Sequence, residues 1–311
     1  MLKQISNIPF HGTASPNNLT TVPHVSTQSS EPTKDTFQKE GTSKKKKIGI
    51  IAGVTAAAIG VTAGILIAIK SHNKAKALKS IPEELKAIFK ELENENGDDF
   101  VNKAYSKLKA HMNLEGIAPE KIDRQGPDKA FSITGGYSPS LNTIGYTDGF
   151  FDKLSKNQQL NFLSHELKHA EQASKIIRSG FIEDYAQAWA ESNVANAAKD
   201  PMNFGFQMNM KAAENNGQLD EFMKATTNFY KDSILTDMKK GHERTLEMLK
   251  FEKGSSEYQE AQNYLKAAKN YEGIGFFGIG GANYKNNPLE VEAYSYGDKT
   301  EKMYQTYIKY S

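Results

Sequence analysis

His165-Glu166-Leu167-Lys168-His169 has the residue types and the spacing for chemistry. Two histidines four positions apart project from one face of an α-helix, so their imidazoles can converge on a single metal ion. Glu166, one residue past the first histidine, is placed to hydrogen-bond a metal-bound water rather than the metal. Zinc lowers the pKa of such a water toward about 7, and the carboxylate can take its proton as it attacks a carbonyl. The implied chemistry is peptide-bond hydrolysis. The chain has no cysteine, which excludes thiol nucleophiles, disulfide scaffolds and cysteine-ligated metals, so any metal must be held by His, Asp or Glu.

A catalytic zinc needs a third protein ligand and an open fourth position. His11 and His24 fall in a polar tail, His72 borders an apolar run, and His111 and His242 lack a partner at ligand spacing. Acidic candidates lie further on, where Asn287-Pro288-Leu289-Glu290-Val291-Glu292-Ala293-Tyr294 reads as an N-cap, a proline in the first turn and then a helix. Glu290 and Glu292 are two apart and face different directions, so only one of them can ligate.

These side chains need elements to position them. Ser155 opens a helical pattern that ends at Gly180, and Leu160, Leu163, Leu167, Ala170 and Ile177 put an apolar stripe beside the two histidines. The chain from about 80 to 311 is expected to be α+β and mostly helical. Helices are expected near 82–92, 100–112, 183–198, 218–238, 242–252, 256–271 and 288–309, with a helical insert over about 181–270. Phe131 to Tyr146, punctuated by Gly135, Gly136, Pro139 and Gly145, is expected to form a hairpin or paired short strands.

Ahead of this domain, residues 1–47 are rich in Pro, Ser, Thr and Asn without apolar periodicity and read as a disordered tail. From Ile48 to Ile69 no residue is charged, and at about 1.5 Å per residue the run is long enough for one transmembrane helix. Lysines bound it on both sides, Lys44 to Lys47 before it and Lys70, Lys74, Lys76 and Lys79 in a basic juxtamembrane linker, 70–79. The lysine excess on the N-terminal side favours a cytoplasmic N-terminus, with the domain on the extracytoplasmic side. Gly49/Gly53 and Gly60/Gly64 have a spacing that permits self-association of such helices. The net charge is +2, but the eight lysines of residues 44–79 exceed that excess, so the rest of the chain is net acidic. Positive charge flanking an apolar run points to a bilayer and away from nucleic acid. With 38% hydrophobic residues and a mean hydropathy of −0.61, a polytopic transporter is excluded.

Thr143-Ile144-Gly145-Tyr146-Thr147-Asp148-Gly149-Phe150-Phe151, then Leu154-Ser155 and Leu160, leading into His165 to His169, resembles the strand, turn and active-site helix of gluzincin-type zinc metallopeptidases. The layout is closest to the family of prenyl-protein-processing and heat-shock membrane peptidases. That family carries a later Glu-x-x-Ala-Asp pattern followed three residues on by Gly, and Glu290, Ala293 and Gly297 match it. The resemblance implies a zincin-like domain in which Glu290 is the third ligand, with Glu292 in reserve. Tyr294 stands where the family has an aspartate that orients a ligating histidine. In similar enzymes the short β region ahead of the zinc helix binds extended substrate by strand addition.

Tyr294, Tyr296, Tyr284 and His242 are candidates for stabilising the oxyanion. Gly273 to Gly281 is apolar and glycine-rich and reads as a lid, a membrane-dipping segment or a linker, and it lacks the lysine and Ser/Thr of a phosphate loop. The reading is a membrane-anchored zinc metallopeptidase acting on peptides or proteins. In it His165, His169 and Glu290 hold zinc, and Glu166 is general base and then general acid. Its rival is a catalytically inactive zincin-like binding or adaptor protein at the membrane.

Overall fold

The computed structural model describes residues 74–125, 135–201, 203–271 and 284–311. The tail, the Ile48–Ile69 run with its transmembrane and self-association readings, and the Gly273–Gly281 segment lie outside the described residues. Among the described residues no helix is long and apolar enough to cross a membrane. Residues 82–309 form one unit, which holds the candidate site, and residues 74–81, helical over 74–79, belong to a second.

The unit is mostly helical with a small mixed sheet. Helices α1 (Glu83–Leu92) and α2 (Gly97–His111) lead into β1 (Asp123–Gln125), β2 (Gly135–Ser138) and β3 (Thr143–Thr147). A 3-10 turn at Phe151–Lys153 precedes α3 (Lys156–Arg178), the helix of the His-Glu-x-x-His motif. Then come α4 (Ile182–Lys199), α5 (Phe204–Asn215), α6 (Leu219–Gly241), α7 (Glu243–Glu247), α8 (Ser256–Lys269) and α9 (Pro288–Tyr310).

Local chemistry sets the limits of α3. Ser155 and Gln158 form a reciprocal capping box that satisfies two of the helix's free N–H groups at its start. At its end Gly180 takes a φ of +83° and Phe181 N–H donates back to Ile176 O (3.2 Å), the left-handed closure that glycine permits. Leu160, Leu163 and Leu167 have no exposed surface, so the apolar stripe is the core face of the domain.

The sheet order is β1-β3-β2, with β2 antiparallel and β1 parallel to β3. The hairpin matches the sequence expectation. Strand β1 was not expected, because it is three residues long and pairs in parallel with a distant strand, so no turn signals it. Strand β2 lies on α3, and a Cβ at Gly135 would stand 2.8 Å from the Phe162 ring. Phe162 packs edge-on against Phe150 (4.8 Å) and Phe151 (5.5 Å), which joins the end of the hairpin to the start of α3.

The insert departs from expectation in two places. Helix α5 was not expected, since Gly205 and its asparagines mask the pattern; Phe206 nonetheless packs with Val194 and Ala197 beneath Phe222 and Tyr230. The helix expected at 242–252 shrinks to Glu243–Glu247, and Met248 (ψ 158°) has left the helical region.

Helix α9 begins as its sequence suggests. Asn287 caps it through Leu289 N–H (3.0 Å), Pro288 occupies the first turn, and the Asn287 amide donates to Ala267 O (2.9 Å), which pins α9 to the end of α8. Farther along, Gly297 lets α9 approach α3 closely. A Cβ there would lie 2.5 Å from Asn161 Oδ1 and 2.8 Å from its backbone oxygen. Gly297→Val should therefore force the two helices apart, costing about 1–3 kcal/mol in thermal unfolding.

Candidate metal centre

Crossing α3 with the first turns of α9 brings Glu290 onto the two histidines. Glu290 Oε2 lies 3.4 Å from His165 Nε2, Glu290 Oε1 lies 3.4 Å from His169 Nε2, and the two Nε2 atoms are 3.1 Å apart. Ligands at about 2.0–2.2 Å from a tetrahedral zinc stand about 3.3–3.6 Å from one another, so the three donors sit near the corners of such a site. Glu290 is 1% exposed, and its Oε2 has no hydrogen-bond partner among the described residues. A buried carboxylate with one orphaned oxygen, each oxygen facing an imidazole nitrogen, fits a cation. Two imidazoles and one carboxylate make a donor set suited to zinc.

Electrostatics agree. Although burial opposes charge on both groups, the adjacent imidazoles hold the Glu290 carboxyl far below the usual carboxylate range, and Glu290 raises His169 to about 9. A dication would take the place of the proton that these groups share.

One donor atom from each of His165, Glu166 and His169 also falls within a 4.8 Å group, which raises the question of whether Glu166 is itself a ligand. Glu290 is the better third donor, because each of its oxygens faces an imidazole, whereas Glu166 Oε2 accepts the Tyr137 N–H (2.7 Å). Glu166 is 3% exposed, and burial raises its carboxyl pKa against the pull of the two imidazoles. A carboxylate shifted toward neutrality suits a general base.

Glu292, the reserve ligand, lies off the imidazoles. Its oxygens take Lys168 Nζ (3.0 Å) and Gln172 Nε2 (2.9 Å). Gln172 is a residue the sequence reading missed, though its place three past His169, on the same helical face, was the available signal. Its amide nitrogen donates to Leu289 O (3.1 Å) and to Glu292, which turns Oε1 toward His169 Nδ1 (2.9 Å). His169 Nδ1 therefore carries a proton for Gln172, and the ring turns Nε2 toward Glu290 and His165. Glu292 is thus tied to His169 through Gln172.

Tyr294 packs its ring on His165 (centroids 4.5 Å), and His165 Nδ1 is buried with no hydrogen-bond partner among the described residues. The Tyr294 ring meets that imidazole at a tilt of 58°. Tyr296 sits beside Lys168, whose ammonium lies 5.9 Å from its ring centroid. Tyr271, a second missed residue, donates to Glu290 Oε1 (2.7 Å) and is held in turn by Ser192 Oγ on its carbonyl (2.7 Å) and by Trp189 against its ring (4.9 Å). The insert thus reaches the centre through α4. Tyr284 packs on Tyr271 (5.7 Å) and lines the same cavity of about 30 Å³ with His165, Glu166, His169 and Glu290. That volume suits an ion with a water.

His242 is 1% exposed and stands apart from the donors, with Nε2 donating to Pro139 O (2.8 Å). Burial pushes its pKa down to about 4. It is neutral in the fold, while an unfolded histidine binds a proton near pH 6.5, so its contribution is complete above about 6.5 and is lost as pH falls toward 4. Urea unfolding at pH 7, 5 and 4 should show up to about 3 kcal/mol of acid destabilisation in wild type that is absent in His242→Gln.

Comparison of this chain with protein families, with curated proteins and with solved structures returns no match.

Proposed function

We propose that this chain is a zinc-dependent metallopeptidase of the gluzincin type, anchored in a membrane through residues 48–69. The observation that carries the reading is the meeting of Glu290 with both imidazoles at 3.4 Å, while Glu166, one residue from His165, has one of its oxygens taken by the Tyr137 N–H. His165, His169 and Glu290 would hold the zinc, leaving a fourth corner open. A bound zinc supplies a Lewis acid that polarises a scissile carbonyl and acidifies water. Glu166 takes a proton from the attacking water and returns it to the leaving amine. Gln172 keeps His169 in the tautomer that presents Nε2, and Tyr271 orients Glu290. The small sheet, with β2 on α3, offers an edge for extended peptide.

The cavity of about 30 Å³ holds an ion and a water but no substrate side chain, which favours one second reading, a metal-stabilised binding protein without turnover. One experiment separates them. The full chain, extracted from membranes by detergent but not by alkali, should carry one zinc and cleave a peptide library, and chelation should abolish cleavage. Zinc at one equivalent with no cleavage of any peptide sinks the peptidase and leaves the binding protein. Absence of zinc sinks both.

A further inference from the structure

Strand β2, just ahead of the turn that leads to β3, reaches the general base through the Tyr137 N–H, which donates to Glu166 Oε2 (2.7 Å). What fixes that turn is the far end of the helical insert. His242, at the junction of α6 and α7, donates from Nε2 to Pro139 O in the interior (2.8 Å). Asn142, at a φ of 50°, accepts the Tyr137 hydroxyl on Oδ1 (3.0 Å) and donates from Nδ2 to Gly241 O (3.0 Å) and Ile117 O (2.9 Å). The left-handed backbone is one that asparagine tolerates, and these three bonds use both of its amide N–H donors and one lone pair of its oxygen. Gly241 comes so near that a Cβ would lie 2.6 Å from Leu141 O. Behind the turn a cavity of about 390 Å³ is lined by Asn142, Thr143, Gly241 and His242 among others. Beyond the close approach of Gly241 the turn borders open space on that side, so these hydrogen bonds do much of the holding.

We propose that the end of α6 sets the position of the general base, with His242 and Asn142 as positioning residues that hold the β2–β3 turn so that Tyr137 N–H keeps Glu166 beside the metal donors. This assigns the insert a role in catalysis that rests on the peptidase reading. Tyr137 donates to one carboxylate oxygen and leaves the other for the proton it must take. Losing a strut would let Glu166 swing out of line without touching any ligand.

The test uses the full chain and three variants. His242→Leu removes the donor, His242→Gln offers an amide N–H to the same carbonyl, and Asn142→Gly keeps the φ but deletes the three side-chain bonds. In His242→Leu and Asn142→Gly, kcat should fall roughly ten- to a hundredfold while KM and zinc content hold. Hydrogen exchange at the Tyr137 amide should quicken by about tenfold or more while α3 core amides keep their protection. His242→Gln should restore both readouts. An unchanged kcat and Tyr137 exchange in His242→Leu overturns the proposal, as does a Gln variant no better than Leu, which would reduce His242 to packing. Should wild type hold zinc but cleave nothing, the peptidase reading fails; faster Tyr137 exchange in His242→Leu would still establish the strut.

Discussion

Glu166→Gln should purify with its full complement of zinc and cleave peptide on the order of 10²–10⁴-fold more slowly than wild type. The amide has nearly the shape of the carboxylate but cannot accept a proton from water near neutral pH. Burial has raised the carboxyl pKa of Glu166 in the fold, and that shift makes it a competent base at working pH. Because Glu166 Oε2 takes the Tyr137 N–H, a glutamine can keep that bond through its carbonyl oxygen, so the fold should be undisturbed. The loss should fall on kcat with little change in KM. Zinc loss in Glu166→Gln would mean that this carboxylate is a ligand, and unimpaired cleavage would mean that the base lies elsewhere.

Glu290→Ala should lose zinc and, with it, all cleavage. Apparent zinc binding of about 10–16 kcal/mol shared over four ligands puts one ligand at about 3 kcal/mol, or more than a hundredfold in affinity. Truncation also leaves the Tyr271 hydroxyl facing an emptied space. Glu292→Ala is the control, since Glu292 reaches the centre only through Gln172. It should weaken zinc by no more than the 10–100-fold of a supporting contact. Competitive titration against a chelator of known affinity reads both variants, and equal losses in the two would contradict the assignment of Glu290 as third donor.

Much of the helical frame was legible in the chain. Ser155 with Gln158, Asn287 with Pro288, and the Leu160, Leu163, Leu167 stripe act within one or two turns, so spacing alone announces them. The short parallel strand Asp123–Gln125 and the helix Phe204–Asn215 escaped notice. The first depends on a partner more than twenty residues away, and the second carries little burial beyond Phe206. Of the tyrosines offered as oxyanion donors, Tyr296 lies beside Lys168 and Tyr294 packs on His165. Tyr271, unnoticed in sequence, donates to Glu290, with Tyr284 packed on its ring. Nothing in residue type separates these phenols; only the packing around α9 does.

The sequence by itself determined that two imidazoles share a helical face with a carboxylate next to the first of them, because side-chain direction along an α-helix follows from its pitch. It also determined that a later helix starts at Asn287-Pro288 with acids in its first turns. Which acid meets the imidazoles was decided by tertiary structure. The answer depends on how closely α9 crosses α3 at Gly297 and Asn161, where a single added carbon would not fit. So were the parts of Gln172, Tyr271 and His242, whose partners lie up to 120 residues away and are reached only once the helices have packed.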